Sequence, residues 1–75
     1  RNVPVAPQYK TEYMKNAVVA KEIRKMEAAY QGKGRLLIRP SGTEHLVRIM
    51  IEGENQAAIE ADARALAEIM ERELA

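Results

Sequence analysis

One ten-residue stretch, Arg39-Pro40-Ser41-Gly42-Thr43-Glu44-His45-Leu46-Val47-Arg48, holds the chain's only serine, its only histidine, one of its two threonines and two arginines. These are residue types that grip an anion. Arg39 can meet two phosphate oxygens with its planar fork, and Arg48 can bring a second positive charge from the far side of a turn. Ser41 and Thr43 offer hydroxyl donors. Gly42 lets the chain turn tightly enough for the amides near Gly42 and Thr43 to face inward as a nest for a phosphate. Pro40 stiffens the entry by fixing its own φ and by biasing Arg39 toward an extended conformation. The same residues also suit a plain hairpin turn with both arginines in water. The arginine pair separates the two readings, because like charges side by side on a sheet repel and an anion between them removes the repulsion. His45 either adds a pH-sensitive donor or stands solvated. Glu44 orients an arginine, accepts hydrogen bonds from a polar ligand such as a sugar, or stays in solvent.

Other chemistries lack their residues. There is no cysteine, hence no disulfide framework and no thiolate metal site. Asp62 is the only aspartate, and it falls in the predicted last helix, away from any cluster of carboxylates that would hold magnesium for phosphoryl transfer. Ser41 and His45 lie four apart in a turn with no third group to orient the imidazole, so Ser41 reads as a hydrogen-bond donor to a bound phosphate and not as a nucleophile. The chain is therefore expected to carry no catalytic residue and no metal ligand of its own.

Seventy-five residues suffice for one thin domain, since a chain of this size buries only roughly 60 to 65% of its unfolded surface. With 47% hydrophobic and 31% charged residues it has the composition of a globular protein. No apolar run approaches the roughly 20 residues that span a bilayer, and no signal-peptide pattern is present, so the expected location is the cytoplasm. The chain opens on Arg1 and runs straight into structured-looking sequence, as a piece of a longer protein does. Basic residues concentrate before position 52 and acidic ones after it, which gives a basic front and an acidic last helix.

The elements that must position the stretch follow from periodicity. Val3, Pro4 and Val5 suggest a short edge strand around residues 2 to 5. From Asn16, a helix N-cap, Val19, Ile23, Met26 and Tyr30 trace one helical stripe, which Gly32 and Gly34 stop. Leu36 to Ile38 and Leu46 to Ile51 read as strands. Paired across the loop from Pro40 to His45 with Arg39 against Leu46, they would set Ile38 against Val47 and Leu36 against Ile49 on an apolar face. The other face would set Leu37 against Arg48, with Arg39 diagonal to it. Asn55 caps a final helix with the stripe Ile59, Ala63, Leu66, Met70 and Leu74, and Glu60 with Arg64 and Glu68 with Arg72 stand at ion-pair spacing. The resulting class is α+β, ordered β-α-β-β-α: a small antiparallel or mixed β-sheet with two helices packed on one face.

The run Arg39-Pro40-Ser41-Gly42-Thr43-Glu44, followed by Val47-Arg48-Ile49-Met50-Ile51-Glu52-Gly53-Glu54, closely resembles the phosphate-binding motif of the alpha-D-phosphohexomutase superfamily, and within it the bacterial phosphoglucosamine mutase branch. That resemblance implies that residues 1-75 are a single domain, the TATA-binding-protein-like C-terminal domain of a four-domain cytoplasmic isomerase. It implies interconversion of glucosamine 6-phosphate and glucosamine 1-phosphate for peptidoglycan precursor synthesis. An active-site phosphoserine and magnesium would do the chemistry, both outside this chain. Arg39, Ser41, Gly42, Thr43 and Arg48 would hold the phosphate that is not transferred, with Pro40 and Glu44 as framework. The partners implied are the phosphosugar and the other domains of the enzyme, with no nucleic acid and no membrane. The motif usually has proline where this chain has His45.

Two readings from other classes use the same basic face. A small nucleic-acid-binding module would need aromatic side chains to stack bases, yet the three tyrosines, at positions 9, 13 and 30, lie outside the predicted central strands. A protein-interaction module would dock through the sheet or a helix and bind no anion.

Overall fold

The computed structural model describes residues 1–75 and has two long helices on one face of a three-stranded antiparallel sheet. The strands are β1 (Asn2–Pro4), β2 (Gly34–Pro40) and β3 (Leu46–Gly53), in the order β1-β3-β2. The helices are α1 (Tyr9–Glu12), α2 (Ala17–Tyr30) and α3 (Gln56–Leu74), with a 3-10 turn at Tyr13–Lys15 between the first two. No strand pair is parallel, so the sheet is antiparallel throughout and not mixed. The short helix and the 3-10 turn are additions to the predicted order. Four residues complete barely one helical turn, too little for an apolar period to register.

Both long helices start where their caps require. Asn16 Oδ1 accepts from the Val19 amide and Asn55 Oδ1 from the Ala58 amide, each at 3.0 Å, satisfying a donor that the first turn leaves free. Past α2, Gly32 takes φ +78°, the left-handed conformation that glycine adopts without penalty. The two helices run antiparallel and are tied at both ends. Asn16 Nδ2 donates to Glu73 Oε1 (3.3 Å), and the Tyr30 hydroxyl donates to Asp62 Oδ2 (2.6 Å). The Ala6 amide donates to the Leu74 carbonyl at 2.6 Å, filling an acceptor that the end of α3 would leave empty.

The core lies between the layers. Val3, Val47, Ile49 and Ile51 from the sheet meet Val19, Ile23 and Tyr30 of α2 and Ile59, Leu66, Ala67, Met70 and Leu74 of α3. Each Val, Ile, Leu and Met side chain in that set contributes roughly 1.5–3 kcal/mol by leaving water. Met26 and Ala63, the remaining members of the two predicted stripes, are half-buried against the same cluster. The predicted pairs Glu60–Arg64 and Glu68–Arg72 are not formed; Arg72 instead meets Glu73 at 3.4 Å. Exposed pairs of this kind contribute little, so nothing holds them to one partner.

The hairpin register differs from the expectation by two residues. Ile38 pairs with Ile49, Leu36 with Ile51, Leu37 with Met50 and Arg39 with Arg48. A slip of two leaves every side chain on its face, so the hydrophobic pattern cannot distinguish the two registers. The turn decides. The Ser41 amide donates to the Leu46 carbonyl at 3.0 Å, which carries pairing past Pro40 and tightens the loop.

Candidate functional site

The register brings Arg39 and Arg48 directly opposite each other, not diagonally, on the face that no helix covers. Bonding to β1 uses the odd-numbered residues of β3: Val5 N donates to His45 O, and Ile49 N donates to Arg1 O. The even-numbered residues, Arg48 among them, therefore bond to β2. Arg39 and Arg48 form a hydrogen-bonded pair with Cα atoms roughly 5.5 Å apart. On the other side of Arg48 stands Asn2 of β1. The row Asn2-Arg48-Arg39 thus crosses all three strands, and all three residues are exposed. Neither arginine has a carboxylate within ion-pair distance; the three ion pairs of the chain lie elsewhere.

The loop from Ser41 to His45 flanks this row at the end of the hairpin. Ser41 is buried at 7% exposure, although it is the residue whose hydroxyl the sequence offers to a ligand. Its Oγ accepts from the Glu44 amide (3.3 Å) and the Thr43 amide (3.4 Å), so the side chain organises the turn from inside. Both bonds are longer than the usual 2.9–3.0 Å for N–H···O, which makes them weak and exchangeable. The Thr43 amide, expected to face a ligand, is therefore occupied by Ser41. The Gly42 amide, the His45 amide and the Thr43 hydroxyl donate to no protein acceptor.

Gly42 departs from its expected reason. Its φ is not positive, and a Cβ placed on it would meet no atom within 4 Å. Neither backbone strain nor packing within the chain calls for glycine there. Open space above a bare backbone, beside two unpaired arginines, suits a group that approaches the backbone closely. His45 is exposed, and its carbonyl, which proline also possesses, anchors the loop to Val5 at 3.1 Å. Since its amide has no partner, proline or histidine can occupy position 45 without changing a hydrogen bond.

Asn2 joins this row without any signal for it in the sequence. A strand near residues 2 to 5 was legible, but its partner and register were not, because three residues carry too little pattern to choose a neighbour. No group of three or more His, Asp or Glu side chains comes together. The residues present do not fit a magnesium site, and no chemical step on this chain runs through one. Nor does an aromatic ring lie in the paired rows of the outer face, which are Pro4-Leu46, Asn2-Arg48-Arg39, Met50-Leu37 and Glu52-Arg35. Tyr9, Tyr13 and Tyr30 all pack against the core. A base-stacking platform is missing from that face. No helix is long and apolar enough to cross a membrane.

Comparison with known proteins places these features in a family. Residues 1–71 match the model of the phosphoglucomutase/phosphomannomutase C-terminal domain. The chain is 47% identical over 73 residues to a phosphoglucosamine mutase of Caldanaerobacter subterraneus subsp. tengcongensis, covering 97% of this chain. It is 53% identical over 70 residues to one of Clostridium perfringens (93% of this chain) and 48% identical over 71 residues to one of Clostridium tetani (95%). In each case it spans 16% of the relative's length.

Proposed function

The chain belongs to the phosphoglucomutase/phosphomannomutase family as its C-terminal domain, and from this membership we propose that it holds the non-transferred phosphate of a sugar phosphate for a phosphoglucosamine mutase. One observation supports the reading above the rest: Arg39 and Arg48 stand directly opposed, unpaired and exposed, at the mouth of a loop with unspent donors. Arg39 and Arg48 supply charge-assisted hydrogen bonds, with Gly42 giving the phosphate room to reach the backbone and Thr43 adding a hydroxyl. Ser41 holds the turn and can still direct its own hydroxyl proton outward, while Asn2 offers a neutral amide at the end of the row. Pro40 and Glu44 frame the loop.

The substrate pair in this reading is glucosamine 6-phosphate and glucosamine 1-phosphate. The nucleophile, the magnesium site and the rest of the sugar pocket belong to other domains of a longer cytoplasmic enzyme. Residues 1–75 act as one domain that binds without turning substrate over. An exposed clamp that lacks the opposite wall of its pocket should bind at about millimolar strength, roughly 4 kcal/mol.

Titration of the chain with glucosamine 6-phosphate, followed by amide chemical shifts, tests the reading. Shifts should begin in residues 39–48 and at Asn2, inorganic phosphate should reproduce them, and glucosamine should not. Shifts confined to α3, or equal shifts with glucosamine, would overturn it. So would binding of a single-stranded oligonucleotide at low salt that phosphosugar fails to displace.

A further inference from the structure

The sheet has an open edge at β2. In the order β1-β3-β2, β2 has a neighbour on one side only. Arg35, Leu37 and Arg39 spend their backbone groups on β3, because they pair with the even-numbered residues Glu52, Met50 and Arg48. The amides and carbonyls of Leu36 and Ile38 consequently point away from the sheet, and no hydrogen bond from the rest of the chain reaches them. Natural sheets blunt such an edge with charge, proline or a covering element. Here the middle of the edge is Leu36-Leu37-Ile38, three apolar residues that all remain half-exposed. Pro40 protects only the end.

Beside this edge runs a groove of about 310 Å³ lined by six apolar or aromatic residues, among them Tyr13, Met14, Leu36 and Ile38, and by one charged residue, Glu27. Met14 is 40% exposed, a large apolar side chain left in water beside unpaired backbone. Backbone donors and acceptors, an apolar groove on the helix side and an uncompensated arginine on the other side are the parts that bind an extended strand.

We propose that the β2 edge binds an extended polypeptide segment by antiparallel strand addition, with apolar residues facing the groove and an acidic residue opposite Arg39. Residues of the incoming strand opposite Ile38 and Leu36 enter the groove, and their backbones bond to those two residues. The residue opposite Arg39 lies on the outer face, where a carboxylate compensates a charge that has no partner in the chain. Glu27 of α2 lines the groove on the helix side, where it disfavours an acidic residue in the incoming strand. A second copy of the chain fits less well: the antiparallel register that aligns all seven residues of β2 sets Arg35 of each copy against Arg39 of the other. It also places Pro40, which has no amide proton, against Gly34.

The test uses hydrogen exchange on the chain without phosphate, so that no anion competes for Arg39, the one residue shared with the phosphate site; protection of the Leu36 and Ile38 amides reads the edge alone. The probe is the capped peptide acetyl-Thr-Glu-Val-Thr-Ile-Thr-Thr-amide, whose valine and isoleucine amides would face β2. Free, the chain should exchange the Leu36 and Ile38 amides at least about tenfold faster than those of Leu37 and Arg39. Peptide at millimolar concentration should slow Leu36 and Ile38 at least fivefold, and the same peptide N-methylated at valine and isoleucine should slow neither. Slow exchange before peptide is added, no protection by the peptide, or equal protection by the methylated peptide would each overturn the proposal. Protection that rises with protein concentration alone would assign the edge to a second copy and overturn it too.

Discussion

Two cross-strand pairs on the outer face of the hairpin share one geometry and differ in charge. Arg35–Glu52 and Arg39–Arg48 are both hydrogen-bonded positions of the same two strands, on the same face, four residues apart along β2. The first is neutralised by an ion pair at 3.0 Å. The second sets two like charges against each other, an arrangement that destabilises a sheet by roughly 0.2–1 kcal/mol. The surroundings differ in the same sense. Beneath the first pair, Gly34 lets the backbone approach the Glu52 carbonyl too closely for any side chain, and Tyr30 is tied to Asp62 nearby. Beside the second lie a loop with free donors and a glycine with open space. One end of the hairpin is closed by an ion pair and close backbone packing, and the other keeps two unpaired charges and free donors.

The coarsest way to break this contrast is to remove what both pairs rest on. Ile49 is 2% exposed on the opposite face, and Ile49→Ala should cost about 2–5 kcal/mol in denaturant unfolding. Met50→Ala, one residue on and 57% exposed, should change stability by less than about 0.5 kcal/mol. A sharper test removes one charge from each pair. Arg39→Ala or Arg48→Ala should weaken phosphate binding by about 1.5–3 kcal/mol, at least tenfold in Kd, because a charge-assisted bond is lost. Arg35→Ala should leave Kd within about twofold, and an equal effect at position 35 would erase the distinction between the pairs.

The closed end can be probed through pH. Hydrogen bonding to Asp62, with burial and the carboxylate's charge adding to it, pushes the Tyr30 hydroxyl up from 10.0 to about 12. Because the folded value lies above the unfolded one, the bond's contribution is complete below pH 10 and fades as pH rises toward 12. Tyr30→Phe should lower stability by about 1 kcal/mol at neutral pH and flatten the decline between pH 10 and 12. The smallest expected effect makes the second pair imitate the first. Arg48→Glu should raise thermal stability by roughly 0.2–1 kcal/mol while abolishing phosphate binding. A variant that lost both would show that the arginine pair serves the fold.

Most of the architecture was legible because it repeats. The stripes from Val19 to Tyr30 and from Ile59 to Leu74, and the caps at Asn16 and Asn55, are local rules that packing did not override. Apolar runs mark the two hairpin strands, which extend beyond those runs to Gly34–Pro40 and Leu46–Gly53. The register carries no such mark, since a two-residue slip leaves hydrophobic alternation unchanged and the deciding contact is a single backbone bond from Ser41 to Leu46. Strict alternation also puts Arg39 and Arg48 on one face, where the sheet has them. The internal use of Ser41 Oγ and the ordinary φ of Gly42 depend on loop geometry that residue types alone do not determine.

The row Asn2-Arg48-Arg39 also has a topological asymmetry. Arg39 and Arg48 belong to one hairpin, so bringing them together closes only a short loop. Asn2 reaches Arg48 across most of the chain's length, through a strand of three residues. Closing the longer loop costs about 1–1.5 kcal/mol more in chain entropy, with fewer ladder bonds to offset it. The two charged members of the row are therefore held by the more persistent contact, and the neutral amide sits on the part of the sheet that opens first.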